Sequence, residues 1–228
     1  MIDLPMVTLF AIDCVTAMKT LNVMLNAAKQ IKFAEIVMMT NTTKFNKLPG
    51  GVRYVHREQG DLMVKCGSRK APLDYEIDVL TESHKHVRTS HLLHMEWDSL
   101  VCNTFAWNHE WLNYDYIGAP WPYPLKEEGF PIIGKHNNVG NGGFSLKSRR
   151  FCSLVASIAD KSLPVCYSSD LFQCVVARSY LQKKGMKYAP SNAAERFSCE
   201  NNIYSGQFGL HGKNTLSLNG INIKSLEH

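Results

Sequence analysis

Two carboxylates one residue apart, Glu96 and Asp98 around Trp97, close the apolar run His91 to Met95. The Trp97 side chain points away from them, and both acids can reach one side where the strand breaks into a turn. An oxygen pair of this kind suits a hard divalent cation such as Mn²⁺ or Mg²⁺, which keeps positions open for phosphate oxygens and neutralises a diphosphate leaving group. The plainer reading is two solvated acids at a strand end. His211, between Gly209 and Gly212 in a tail that otherwise reads as flexible, offers an imidazole to the same cation or to a phosphate; the competing reading is an exposed loop histidine, one of nine. Asp170 follows Ser168 and Ser169 at a helix start. All three are good caps, and as a carboxylate Asp170 could also take the proton of an attacking hydroxyl, although a helix N-terminus lowers its pKa. In Val139 to Ser148, VGNGGFSLKS, the residues Asn141, Gly142 and Gly143 end a loop and Phe144 begins an extended apolar segment, so backbone can approach a ligand where a Cβ would collide. His84, His86, His91 and His94 straddle a helix end and a strand and are not expected to converge on a metal.

The elements that position these groups follow from periodicity. Met6 to Ile12 reads as a strand ending at Asp13, and Met18, Leu21, Leu25 and Ala28 then recur at helical spacing. Ala34 to Thr40 and Val52 to His56 read as further strands, so the chain opens βαβ. Leu73, Ile77 and Leu80 mark a helix face before the strand His91 to Met95. Ligands of open α/β sheets bind outside the carboxyl ends of strands, which would put Asp13 and the Glu96/Asp98 pair at one crevice. The Pro- and Gly-rich stretch from Trp121 to Asn138 reads as a long surface loop. Beyond it, Phe151, Leu154, Val155 and Ile158 form a helical stripe. Phe172, Val175 and Val176 mark the helix after Asp170, and Met186 to Ala189 a short strand.

Length and composition agree with an α/β protein of one domain. The 228 residues are 45% hydrophobic with interspersed charge, which excludes general disorder, and no apolar run approaches the roughly 20 residues of a membrane span. Residues 1–225 read as the domain, and Leu226-Glu227-His228 as the remnant of a cloned tag. The N-terminus lacks the features of a signal peptide, so a cytoplasmic location is expected. Seven cysteines without a CxxC pair argue for buried free thiols over disulfides or structural zinc. A net charge of +5 mildly favours an anionic partner.

HMEWDSLV, WLNYDYIGAPW, VGNGGFSLKSRR, AERFSCEN and FGLHG follow in that order, and the likeness they carry extends over nearly all of the chain. Together they resemble an uncharacterised bacterial and viral glycosyltransferase family, a domain of unknown function with a GT-A-like fold, that carries YDYIGAPW and VGNGGFSLRS. The resemblance implies a Rossmann-like, mixed but mostly parallel sheet flanked by helices. It implies that Glu96-Trp97-Asp98 takes the place of the DXD-type metal and nucleotide-sugar motif, usually QxD in the family, so that Glu96 adds a carboxylate. Asn141, Gly142, Gly143 and Phe144 would line the donor and acceptor region beside Asp13 and Trp97. Asp170 would be the base of an inverting reaction, and His211 a ligand of the metal or diphosphate. Ser169 stands where the family often has Glu.

The expected activity is therefore metal-dependent sugar transfer from a nucleotide sugar, a UDP-sugar, to an acceptor hydroxyl of a surface glycan. The runner-up acceptor is a hydroxymethylated base of phage DNA, reached in a flipped nucleotide. A third reading is a non-catalytic nucleotide-sugar or glycan-binding protein.

Overall fold

The first strand forms because its last six residues, Val7 to Ile12, are buried on both faces, the near-continuous apolar run of a central parallel strand. The computed structural model describes residues 1–58, 60, 63–66, 69–121, 138–159 and 168–222. In chain order the first half holds β1 (Ile2–Ile12), α1 (Ala17–Ala28), β2 (Ile31–Thr40), β3 (Arg53–His56), β4 (Met63–Cys66), β5 (Arg69–Pro72), α2 (Leu73–Thr81) and α3 (Ser83–His86). The second holds β6 (His91–Met95), β7 (Ser99–Val101), β8 (Tyr116–Gly118), β9 (Phe144–Ser148), α4 (Arg149–Ile158), α5 (Ser169–Leu171), α6 (Arg178–Lys183), α7 (Ser191–Phe197), β10 (Ser198–Glu200), β11 (Gly209–His211) and α8 (Lys213–Leu218).

The central sheet has the order β3-β2-β1-β6-β9-β8. Its first four strands are parallel, and β9 runs antiparallel between β6 and β8. With helices on its flanks, this is the mixed, mostly parallel α/β architecture of a Rossmann-like domain. The opening βαβ unit and the strand His91 to Met95 stand as expected. No helix among the described residues is long and apolar enough to cross a membrane.

Four local readings are corrected. On α1 the buried stripe is Ala17, Leu21, Met24 and Ala27, while Met18 is exposed, one position round the helix from the expected face. On α2 the acids Glu76 and Asp78 are buried although Ile77 is only half-buried, because each acid has a partner there: Ser169 N donates to Glu76 and Arg57 Nε to Asp78. A π-helical turn at Phe172–Val176 follows α5; it buries Gln173 and Cys174 and leaves Val176 exposed. Met186 to Ala189 is a single bridge from Tyr188 to Tyr116 rather than a strand. The expected loop falls on 122–137 and the tag remnant on 226–228, both outside the described residues.

The largest correction concerns the tail. Ser198–Glu200 and Gly209–His211 pair with Ser99–Val101 as a second sheet, β10-β11-β7. An aromatic cluster fastens that sheet to the first: Phe144 lies 5.3 Å from Phe197 and 5.8 Å from Phe208, and Trp111 lies 5.2 Å from Phe197. Rings at these separations add to the area they bury, so the polar-looking tail is ordered by a few aromatic anchors.

The edge strand is held by one carboxylate. Asp115 accepts hydrogen bonds from Ser148 Oγ at 2.6 Å, Arg150 Nε at 2.7 Å and Lys187 N at 2.8 Å, which ties β8, the start of α4 and the 186–188 segment together. Burial raises its pKa, but the bonds from Arg150, Ser148 and Lys187 more than offset this and hold it below the ordinary carboxylate range. Asp115→Ala is expected to cost about 3 kcal/mol in urea unfolding at pH 7, since it strands buried donors. The sign of the shift makes this contribution fall away as pH drops through the lowered folded pKa, so the wild-type advantage over the variant should shrink in acid.

Candidate metal and substrate site

The turn that brings Glu96 and Asp98 to one side is closed by Ser99 N donating to the Glu96 carbonyl at 3.0 Å. It is stitched to the glycine segment as well. The Gly143 carbonyl accepts from Glu96 N at 2.9 Å and from Ser99 Oγ at 2.7 Å. β7 then leads out of the turn and pairs antiparallel with β11, setting His211 opposite Ser99, while Gly212 N donates to the Asp98 carbonyl. Residues 113 and 115 positions apart thereby converge: His211 Nε2 lies 3.3 Å from Asp98 Oδ1 and 3.4 Å from Glu96 Oε2.

The donor set fits a divalent cation. One ligand atom from each of Glu96, Asp98 and His211 falls within 4.8 Å of the others. Asp98 Oδ1 is buried and faces His211 Nε2 at 3.3 Å, so a cation seated between them would take up an acceptor that otherwise relies on the imidazole. The other ring nitrogen, His211 Nδ1, lies 3.0 Å from Glu200 Oε2, the carboxylate–histidine arrangement that orients a metal-binding imidazole. Tyr75 donates to Glu96 Oε1, leaving Oε2 toward the imidazole. Two carboxylate oxygens and one imidazole nitrogen are a donor set that can hold a divalent cation.

Burial lowers the pKa of His211, but the charge of Glu200 and hydrogen bonds with Asp98, Glu200 and Glu96 overcome it, and the value stands well above the ordinary 6.5. Without metal the ring is an imidazolium that bridges the acids. His94 behaves oppositely: burial, reinforced by Lys147, pulls it down to about 3, so it is neutral. The thiols of Cys152 and Cys174 are pushed up by burial to about 11 and about 12, which makes them packing groups.

A cavity of about 200 Å³ opens beside the triad, lined in part by Glu96, Asn141, Gly142, Gly143, Asp170 and His211. A side chain at Gly143 would collide with the imidazole, and one at Gly142 would crowd Asp170. A Cβ on Gly143 would stand 2.1 Å from His211 Nε2, and one on Gly142 would stand 3.1 Å from Asp170 Cβ. The bare backbone thus separates the triad from Asp170. Asp170 Oδ1 accepts from Ser168 Oγ at 2.5 Å and Leu171 N at 2.8 Å, which fixes the carboxylate plane while Oδ2 has no hydrogen-bond partner among the described residues.

Of the residues singled out from the sequence, Glu96, Asp98, His211, Asn141, Gly142, Gly143 and Asp170 come together. Three others do not line this cavity. Asp13 Oδ1 accepts from Val15 N and Thr16 N and Oδ2 from Thr16 and Thr20 hydroxyls, so it closes the entry to α1. Phe144 alternates to the other face of β9 and is 1% exposed in the aromatic cluster. Trp97 lies outside the cavity, half-buried, with Lys19 Nζ 5.5 Å and Lys213 Nζ 4.9 Å from its ring. His84, His86, His91 and His94 form no ligand grouping among the described residues. Glu200, Tyr75 and Lys147 had no role in the sequence reading. The available signal for Glu200 was its acid in AERFSCEN, but its partner strand is three residues long and too short to read as a strand.

Gly143→Ala and Glu200→Gln should each weaken Mn²⁺ binding by roughly 10–100-fold in calorimetric titration, the first by displacing the imidazole and the second by freeing it. The raised pKa of His211 stabilises the metal-free protein fully below about pH 6.5, and that contribution is lost as pH rises through the folded value. Cation binding must expel this proton, so Mn²⁺ affinity should climb with pH by up to about tenfold per unit and level off once pH passes the raised folded value. A flat pH profile would remove His211 from the ligand set.

No curated protein matches this chain. The profile of a family described as protein of unknown function (DUF5672) matches residues 80–212, more than half of the 228 and the span that holds Glu96, Asp98, Asp170, Glu200 and His211. The chain therefore belongs to the DUF5672 family.

Proposed function

We propose that this protein is a metal-dependent glycosyltransferase that moves a sugar from a UDP-sugar to a glycan hydroxyl, with inversion at the anomeric carbon. The observation that carries the reading is the cavity itself, which has a Glu96–Asp98–His211 ligand set and the Asp170 carboxylate on either side of the Gly142–Gly143 backbone. Mn²⁺ or Mg²⁺, when bound, supplies the positive charge that stabilises the departing diphosphate. Glu96, Asp98 and His211 would hold it, with Glu200 and Tyr75 fixing their orientation. Trp97, an aromatic face attended by the ammonium groups of Lys19 and Lys213, offers stacking and positive charge to a nucleoside diphosphate.

Asp170 acts on the acceptor. Its Oδ2 takes the hydroxyl proton as the acceptor oxygen bonds to the anomeric carbon, and the bond to the diphosphate oxygen breaks with its electron pair leaving on that oxygen. The attack and the departure lie on opposite faces of the sugar, so the configuration inverts. Ser169 leaves its position without an acid, and Glu76 brings a carboxyl group to the Ser169 backbone at 2.6 Å.

Hydrolysis of a UDP-sugar panel with and without Mn²⁺ tests this reading. Asp98→Ala should abolish donor binding. Asp170→Ala should spare binding yet lower transfer by about 10²–10⁴-fold, the range for loss of a general base. Wild-type turnover in both variants would refute the enzyme as described.

A further inference from the structure

The cavity has a second pole that the reaction above does not use. Lys147, on β9, lines it and is 2% exposed. Among the described residues its ammonium has no carboxylate within ion-pair distance; its recorded contact is the Tyr116 ring, 5.7 Å from Nζ. Of the acids that share the cavity, Glu200 meets His211, Glu96 meets Tyr75 and His211, and Asp170 keeps Oδ1 on Ser168 and Leu171 while its Oδ2 makes no hydrogen bond among the described residues. Asn141, 6% exposed, lines the same cavity with its Nδ2 buried and without a partner. Tyr116 connects the two, since its ring lies beneath Lys147 and its hydroxyl bonds the Gly140 and Asn141 carbonyls at 2.8 and 3.0 Å.

Buried donors without acceptors are costly, and a buried ammonium more so. A buried amide donor without an acceptor, Asn141 Nδ2, and an ammonium without an ion-pair partner among the described residues, Lys147, line one small cavity, and a group with acceptor oxygens and one negative charge would answer both. A carboxylate has that form. A phosphate dianion would bring more charge among Glu96, Asp170 and Glu200 than one lysine balances. The cavity, about 200 Å³, is smaller than the roughly 300–1,000 Å³ of sites that enclose a whole drug-sized ligand, so it suits one sugar-sized unit rather than an entire nucleotide sugar.

We propose that Lys147 and Asn141 form a carboxylate-recognition pocket and that the substrate unit placed beside Asp170 is an acidic sugar, a uronate. This inference rests on the glycosyltransferase reading for its substrate class. The carboxylate can belong to the transferred sugar or to the acceptor, and the two sources bind differently.

Calorimetric titration with Mn²⁺ present distinguishes them, with UDP-glucuronate and UDP-glucose as the donor pair and glucuronate and glucose as the free-sugar pair. Wild type should prefer the acidic member of a pair by at least about tenfold, the scale of one charge-assisted contact. A preference between the nucleotide sugars, with free glucuronate excluded by UDP-glucose, assigns the carboxylate to the donor. Glucuronate that still binds beside UDP-glucose assigns it to the acceptor. Lys147→Met and the isosteric Asn141→Asp should each erase the preference, and Lys147→Arg should retain it; Mn²⁺ affinity reports whether each variant keeps its fold. Equal affinity within both pairs, or a preference that survives in Lys147→Met, overturns the pocket. If neither UDP nor Mn²⁺ binds but the glucuronate preference holds, the transferase reading fails while the carboxylate pocket stands.

Discussion

The Gly143 carbonyl is the junction on which the site depends. It accepts from Glu96 N and from Ser99 Oγ, so one peptide group ties the end of β6, the acidic turn and the start of β9 into a single rigid piece. Each partner has a separate consequence. The bond to Glu96 N carries the β6–β9 pairing one residue past Met95, up to the point where the chain turns. The bond to Ser99 fixes the exit of that turn, from which β7 recruits β11 and with it His211. Because the residue at this junction lacks a Cβ, the imidazole can lie directly over it.

The electrostatics of the cavity follow from that convergence. Three carboxylates around one imidazole hold it protonated, and the proton occupies the place a cation would take. A few residues away His94 is neutral and Lys147 is buried, so acid-rich and donor-rich ends face each other across one small space. Charges opposed in this way are expensive to bury in an empty protein and favourable in one that binds a ligand with matching ends. The aromatic cluster of Trp111, Phe144, Phe197 and Phe208 supplies the rigidity that holds the second sheet, and therefore His211 and Glu200, against the first.

Much of the fold was legible in the chain because its signals are local. A run of buried apolar residues makes β1, an acid closes it at Asp13, and helical spacing marks α1 and α4, even where the exact stripe is displaced by a position, as at Met18. The errors cluster where tertiary partners overrule local pattern. Glu76 and Asp78 are buried because Ser169 and Arg57 meet them, Cys174 replaces Val176 in the core because of a π-helical turn, and the tail is ordered by contacts with residues a hundred positions earlier. Phe144 shows the same limit within the site: alternation along β9 was readable, but which face meets the cavity was set by the cluster behind it.

The sequence by itself determined the α/β class, the strand that ends in Glu96-Trp97-Asp98, the paired glycines and the acid at position 170, since each is written in residue types a few positions apart. Only the tertiary structure decided that His211 joins Glu96 and Asp98, that Glu200 orients it, that Asp13 and Phe144 serve the scaffold, and that Lys147 and Asn141, the latter with an unpaired Nδ2, line the same cavity. The physical reason is that a ligand set or a buried charge is defined by distances of a few ångströms. Those distances are produced by strand pairing between segments far apart in the chain, and no spacing along the sequence encodes them.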